Sequence, residues 1–175
     1  MITGGASSGK SELGERIATE FGGNPVYVAT MEPFGEEGTL RVKRHRALRA
    51  DKGFSTLESY TNLSSALTNP LMLQTKTVLL ECLTNLLANE MFSPNGSKMD
   101  VVLGIQKNLQ DLFSAVSNVV VITGEIFSDG KNYPTETMAY IENLGKLNCF
   151  LAKQSDIVIK TIVGIPMILK GKKQL

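Results

Sequence analysis

The sequence predicts an α/β fold, a mainly parallel sheet with helices on both faces, and three observations lead to it. Short β-prone apolar runs alternate with longer amphipathic stretches along the whole chain. Most of these runs are apolar at consecutive rather than alternate positions, as strands covered on both faces require. The first run leads straight into Gly4-Gly5-Ala6-Ser7-Ser8-Gly9-Lys10-Ser11, in which Gly4, Gly9, Lys10 and Ser11 fit the pattern G-x-x-x-x-G-K-[ST]. That pattern belongs between a strand and a helix. With no internal repeat and no low-complexity linker, residues 1–175 read as one nucleotide-binding catalytic domain.

The elements follow in order. Met1-Ile2-Thr3 is the first strand, and residues 10–21 form a helix with Leu13, Ile17 and Phe21 on one face. Gly22-Gly23-Asn24, with Pro25 beyond, stops it. Residues 26–30 make a short buried strand, residues 33–38 a loop around Gly35 and Gly38, and residues 40–50 a cationic helix. After Gly53 a strand is expected over 54–57, then a helix over 64–73 that Pro70 distorts or ends. Residues 77–80 form a strand ending on Glu81. Helices over 83–91 and 99–116 flank the loop Ser93-Pro94-Asn95-Gly96-Ser97. Residues 119–123 are the most hydrophobic strand, 135–153 a helix and 156–160 a strand. A last strand over 162–169 is marked as an edge by Gly164 and Pro166.

Composition limits the function classes. The chain is 42% hydrophobic and 20% charged, an ordinary globular balance. Lys+Arg 18 against Asp+Glu 17 leaves a net charge of +1, so no overall field favours nucleic acid or a membrane surface. Locally the balance breaks: from Arg41 to Lys52 there are six basic residues and one acid, Asp51. Cys82 and Cys149 are too few and too far apart for a disulfide framework or a zinc site, and Cys82 reads as a small buried hydrophobe. No run approaches the ~18 apolar residues of a membrane span. A phosphate loop so near the first residue leaves no room for a secretory leader, so the cytoplasm is the expected compartment.

Chemistry explains each member of the glycine-rich motif. Its glycines allow a tight turn that points successive N–H groups at phosphate oxygens. Lys10 reaches the β/γ-phosphates as a point charge, and the Ser11 hydroxyl holds Mg²⁺. Ligands of such sheets bind beyond the carboxyl ends of the strands. There the second strand delivers Thr30, Met31 and Glu32, and the fourth apolar run delivers Glu81. A carboxylate so placed binds Mg²⁺ directly or through water, as phosphoryl transfer requires; the other reading is a surface acid. Glu125 repeats this argument more weakly. The single histidine, His45, lies in Arg41-Val42-Lys43-Arg44-His45-Arg46-Ala47-Leu48-Arg49. Arg41, His45 and Arg49 are spaced i, i+4, i+8 and share a helix face. Cations gathered so repel one another unless an anion such as polyphosphate joins them. They also disfavour imidazolium and so keep the ring nucleophilic. The other reading is a solvated basic face with an incidental histidine.

GGASSGKSE, YVAT, R-V-x-x-H-x-x-x-R, the F-x-T-x-E from Phe54 to Glu58, LLECLTNLLANE and VGIPMILK occur in this order along nearly the whole chain. Order and spacing resemble the bifunctional adenosylcobinamide kinase/adenosylcobinamide-phosphate guanylyltransferase family of cobalamin biosynthesis. The resemblance implies a RecA-like P-loop NTPase fold, a homotrimer, and two reactions that use ATP and GTP with Mg²⁺. In the first, adenosylcobinamide is phosphorylated on its aminopropanol arm. In the second, a histidine attacks the α-phosphate of GTP and passes GMP to the new phosphate, giving adenosylcobinamide-GDP. By motif position that histidine is His45, acting with Lys10 and Glu81. Thr30, Met31, Glu32, Arg41, Arg46, Ala47, Leu48 and Arg49 would hold the nucleotide, and Glu58 and Glu81 would lie near nucleotide or metal. Residues 124–134 depart from the family's N-E-V-G-x-G-x-V-P pattern and lack the arginines after its proline, while Gly145 and Asn148 persist. Two other readings stand beside this one. A different small-molecule P-loop kinase calls for an arginine-bearing lid, which is not evident after Pro134. A nucleotide-dependent switch gives a histidine among arginines no obvious use.

Overall fold

The computed structural model describes residues 1–33, 35–47, 52–126, 130 and 133–172, with residues 37, 39, 41 and 44–46 as backbone only. In chain order the elements are β1 (Ile2–Gly4), α1 (Lys10–Phe21), β2 (Val26–Ala29), α2 (Gly35–Ala47), β3 (Ser55–Glu58), α3 (Leu63–Leu67) and α4 (Pro70–Gln74). There follow β4 (Thr77–Glu81), α5 (Leu83–Phe92), α6 (Val101–Ala115), β5 (Asn118–Ile122), α7 (Thr135–Gln154), β6 (Val158–Ile162) and β7 (Ile165–Lys170). The strands form one sheet in the order β3-β2-β4-β5-β1-β6-β7. All neighbours pair parallel except β6 and β7. Strand β5 thus separates the loop-bearing β1 from the Glu81-bearing β4, the strand order of the RecA-like class.

Successive side chains of a strand point to opposite faces, and here each face has its own core. Val26, Val28, Val78, Leu80 and Val121 meet Leu63, Leu86, Leu109, Leu144 and other side chains of α3 to α7. Tyr27, Leu79, Val120 and Ile122 face the other way, onto Leu13 and Ala18 of α1, with Ile2 and Ile159 beside them. The expected two-faced parallel sheet is therefore present. Helix α1 lies close because Gly14 carries no side chain; a Cβ there would stand 2.7 Å from Ile122 Cδ1. Phe21, expected on the buried face, is 51% exposed at the helix end. None of the described helices is long and apolar enough to cross a membrane.

Three expectations need correction. Helix α2 begins at Gly35, so the expected loop over 33–38 is mostly helix, and Glu36 suits its first turn. The expected continuation over 48–50 lies outside the described residues. The helix expected over 64–73 is broken before Pro70, as expected, but it becomes two helices, because Pro70 also starts α4. It occupies the first helical turn, where a missing N–H costs nothing, and Asn69 caps it by accepting from Leu71 N at 3.0 Å. The expected final strand over 162–169 is a hairpin: Ile162 ends β6 and Val163-Gly164 turn with φ 51 and 80. Two positive φ values are what a tight two-residue hairpin demands. Other boundaries move by one or two residues.

Candidate active site

The phosphate loop spans the gap between β1 and α1, at the carboxyl end of the sheet. Its first glycine is sterically required. Gly4 has φ 153, and a Cβ there would lie 2.5 Å from Thr161 O. Gly9 precedes α1 with φ 89 in the left-handed region. The hairpin buttresses the loop from the side. The Ser8 and Thr161 hydroxyls are 2.7 Å apart in a buried hydrogen bond, and Gly164 N–H donates to Ser8 O at 3.1 Å. Lys10 Nζ donates to Gly5 O at 2.5 Å. Burial pushes the Lys10 pKa down, against an opposite pull from neighbouring Cys82 and Glu81. A phosphate anion beside it would favour the charged form.

Ser11 Oγ donates to Glu81 Oε1, so the two residues expected to share a metal lie together. Glu81 Oε2 is buried with no hydrogen-bond partner among the described residues. A buried, unsatisfied carboxylate oxygen beside a hydroxyl is a hard-oxygen donor set, and it fits Mg²⁺. Glu32 Oε2 is also buried with no hydrogen-bond partner among the described residues. Met31 is half-buried beside it.

Thr30 is anchored at the same end of the sheet. It is fully buried, and its hydroxyl accepts from Cys82 N–H at 2.6 Å and donates to Cys82 O at 2.8 Å. Its side chain therefore ties the end of β2 to the end of β4. Glu125, considered as a further metal carboxylate, accepts from Lys160 Nζ at 2.8 Å and is ion-paired, while its N–H donates to Gly4 O at 3.1 Å. Glu58 ends β3 exposed and accepts from the Tyr60 hydroxyl at 2.8 Å. Arg41, His45, Arg46 and Ala47 all fall within α2, the helix entered from the carboxyl end of β2. Leu48 and Arg49 lie outside the described residues.

The segment whose sequence departs from the family pattern is pinned where it begins. Gly124 N–H donates to Thr84 Oγ1 at 2.9 Å, and Asn148 Nδ2 donates to Gly124 O at 3.2 Å. Thr123 Oγ1 donates to Asn148 Oδ1 at 2.7 Å, tying the end of β5 to α7. Residues 127–129, 131 and 132 lie outside the described residues. Cys82 and Cys149 are free thiols; Cys82 packs against the α1-side core, and burial pushes its pKa up. Sequence reasoning missed Thr161 and Asn89. Neither carries a charge or stands at a motif offset, and their one signal was membership of the segments VGIPMILK and LLECLTNLLANE or their flanks.

A sequence model of the family described as cobinamide kinase / cobinamide phosphate guanyltransferase matches residues 1–169. The bifunctional adenosylcobalamin biosynthesis protein CobP of Pseudomonas aeruginosa is 29% identical over 173 residues, 98% of this chain and 97% of that protein. Its counterpart CobU of Escherichia coli is 27% identical over 187 residues, and CobU of Salmonella typhimurium 27% over 186. Each of those alignments covers 97% of this chain and 98% of the relative. With a P-loop α/β fold, a Ser11–Glu81 pair at the loop and a match spanning nearly its whole length, the chain belongs to the cobinamide kinase / cobinamide phosphate guanyltransferase family.

Proposed function

We propose that the protein carries out both reactions of its family at one end of its sheet. The first moves the γ-phosphoryl group of ATP or GTP to the terminal hydroxyl of the aminopropanol arm of adenosylcobinamide. The second moves GMP from GTP to that new phosphate by way of His45. The observation that carries the reading is the Ser11–Glu81 contact beside Lys10, at the sheet end from which α2 brings His45.

For phosphoryl transfer, the loop amides and Lys10 hold the β/γ-phosphates while the substrate hydroxyl attacks in line. Ser11 and Glu81 would hold Mg²⁺, which when bound neutralises charge on the phosphate oxygens. For guanylyl transfer, a neutral imidazole nitrogen of His45 attacks the α-phosphorus of GTP, and the bond to the pyrophosphate oxygen breaks. A phosphate oxygen of adenosylcobinamide-phosphate then attacks the same phosphorus. The P–N bond breaks, His45 is regenerated, and adenosylcobinamide-GDP leaves. Met31, Glu32, Arg41, Arg46, Ala47, Leu48, Arg49 and Glu58 surround the nucleotide in this reading, and Thr30 contributes by position.

A cytoplasmic homotrimer is the proposed state. The support for an assembly is β7, an edge strand whose Ile165, Met167, Ile168 and Leu169 are between 42% and 66% exposed. Apolar edges of that kind invite a partner. The deciding experiment incubates the protein with α-labelled GTP and Mg²⁺, then runs denaturing electrophoresis. Label that survives base and is released by acid marks a phosphoramidate on histidine. His45→Ala should lose the label and the GDP product while still making adenosylcobinamide-phosphate from ATP. A labelled His45→Ala protein would place the nucleophile elsewhere.

A further inference from the structure

The chain leaves β2 and β3 at the carboxyl end of the sheet through two loops, and both loops expose main-chain carbonyls. Asn89, on α5, satisfies one from each. Its side-chain nitrogen donates to Thr30 O at 2.8 Å and to Tyr60 O at 2.9 Å. An amide NH₂ has two hydrogens, so its donor capacity is fully used. On its other side Thr30 is locked to the Cys82 backbone through its hydroxyl, as described above. A continuous line of hydrogen bonds therefore runs from the residue after Glu81, through Thr30 and Asn89, to Tyr60. The neighbouring Glu90 strengthens the anchor: it is 5% exposed and accepts from Asn62 N–H at 2.7 Å and Ser97 N–H at 2.9 Å. One helix, α5, thus begins beside the metal carboxylate and ends holding the loops of β2 and β3.

We propose that Asn89 is a positioning residue for guanylyl transfer, fixing the segment that leads from Thr30 into α2 and hence the reach of His45 relative to Glu81. This rests on the reading of His45 as the nucleophile. The phosphoryl-transfer groups are held by other contacts: Ser8 to Thr161, Gly164 to Ser8, and Ser11 to Glu81. None of these passes through Asn89. The covalent step instead needs the α-phosphorus to meet a group carried on α2, and a misplacement of about 1 Å can cost roughly 100-fold in rate. Loss of the anchor should therefore strike the two activities unequally.

Asn89→Asp tests this with little change of shape, because a carboxylate oxygen then faces two carbonyls where a double donor stood. Labelling by α-labelled GTP should slow by about 10- to 100-fold at saturating nucleotide, while phosphorylation of adenosylcobinamide by ATP changes by less than about threefold. Amide hydrogen exchange should quicken at residues 30–32 and along α2, and stay as in the parent along α1. Parallel loss of both activities in proportion to lost thermal stability would overturn the proposal. So would unchanged labelling and exchange in the folded variant. If the parent takes no label, the histidine reading fails, and with it the assignment to guanylyl transfer; exchange at residues 30–32 still reports whether Asn89 anchors the loop. Should Asn89→Asp not fold, Asn89→Ala removes the donors without adding charge and is read the same way.

Discussion

A methyl group at Gly4 would meet the strand next door rather than solvent. Built on this backbone, its carbon lies 2.5 Å from Thr161 O, 2.6 Å from Thr161 Oγ1 and 2.8 Å from Ser8 Oγ. The first contact decides the outcome. Thr161 is paired with Gly4 in the β1–β6 ladder, so its carbonyl cannot retreat without opening that ladder. Holding a non-glycine residue at φ 153 costs about 1–3 kcal/mol, and forcing the methyl into filled space about 1–3 kcal/mol more. Gly4→Ala should therefore lose about 2–6 kcal/mol, which for a chain of this size lowers the melting temperature by roughly 5–20 °C. It should also weaken binding of a fluorescent GTP analogue, because the methyl presses on the Ser8–Thr161 pair that buttresses the loop. Thermal unfolding followed by circular dichroism measures the first effect and nucleotide titration the second. Gly5→Ala is the internal control, since nothing lies within 4 Å of its Cβ position. Its stability should stay within about 0.5 kcal/mol of the parent. Equal melting of Gly4→Ala and the parent, or an equal loss in Gly5→Ala, would refute the steric argument.

Two further outcomes follow from the site. Lys10→Ala should lower both activities by about 100-fold or more while leaving the melting temperature near that of the parent, because Nζ bonds only to an exposed loop carbonyl among the described residues. Near-normal rates in the folded variant would remove Lys10 from the machinery. Glu81→Gln keeps the shape and removes the charge, so it should raise the Mg²⁺ concentration for half-maximal activity and lower the rate. A Mg²⁺ titration identical to the parent's, with reduced thermal stability alone, would make Glu81 structural.

Much of the fold was legible because its signals are local. Glycines at fixed offsets before Lys10-Ser11 announce a loop between strand and helix, and α1 begins at Lys10 as expected. Runs such as Val78-Leu79-Leu80 declare buried strands by composition alone, and the placement of Glu81 at the end of one brought it to Ser11. Local signals fall short where two conformations are equally reasonable. Pro70 is as compatible with ending a helix as with starting one, and the Asn69 cap settles it. Val163, a β-branched residue, disfavours the positive φ it adopts, so nothing local marks the turn at 163–164; the Gly164–Ser8 contact across the fold holds it there.

At the site itself, the sequence determined which polar residues arrive at the carboxyl end of the sheet, because strand direction and length are written locally. What each of them does there was decided by partners remote in the chain. The Thr30 hydroxyl bonds the Cys82 backbone, Glu125 pairs with Lys160, and Ser8 is fixed by Thr161. Beyond its place in LLECLTNLLANE, Asn89 carried no sign of its two hydrogen bonds, since both acceptors are carbonyls that every residue possesses. Hydrophobic period and turn chemistry are properties of a short stretch and can be read from it. A hydrogen bond between residues far apart exists only once the whole sheet has brought its ends together, and so it belongs to the tertiary structure alone.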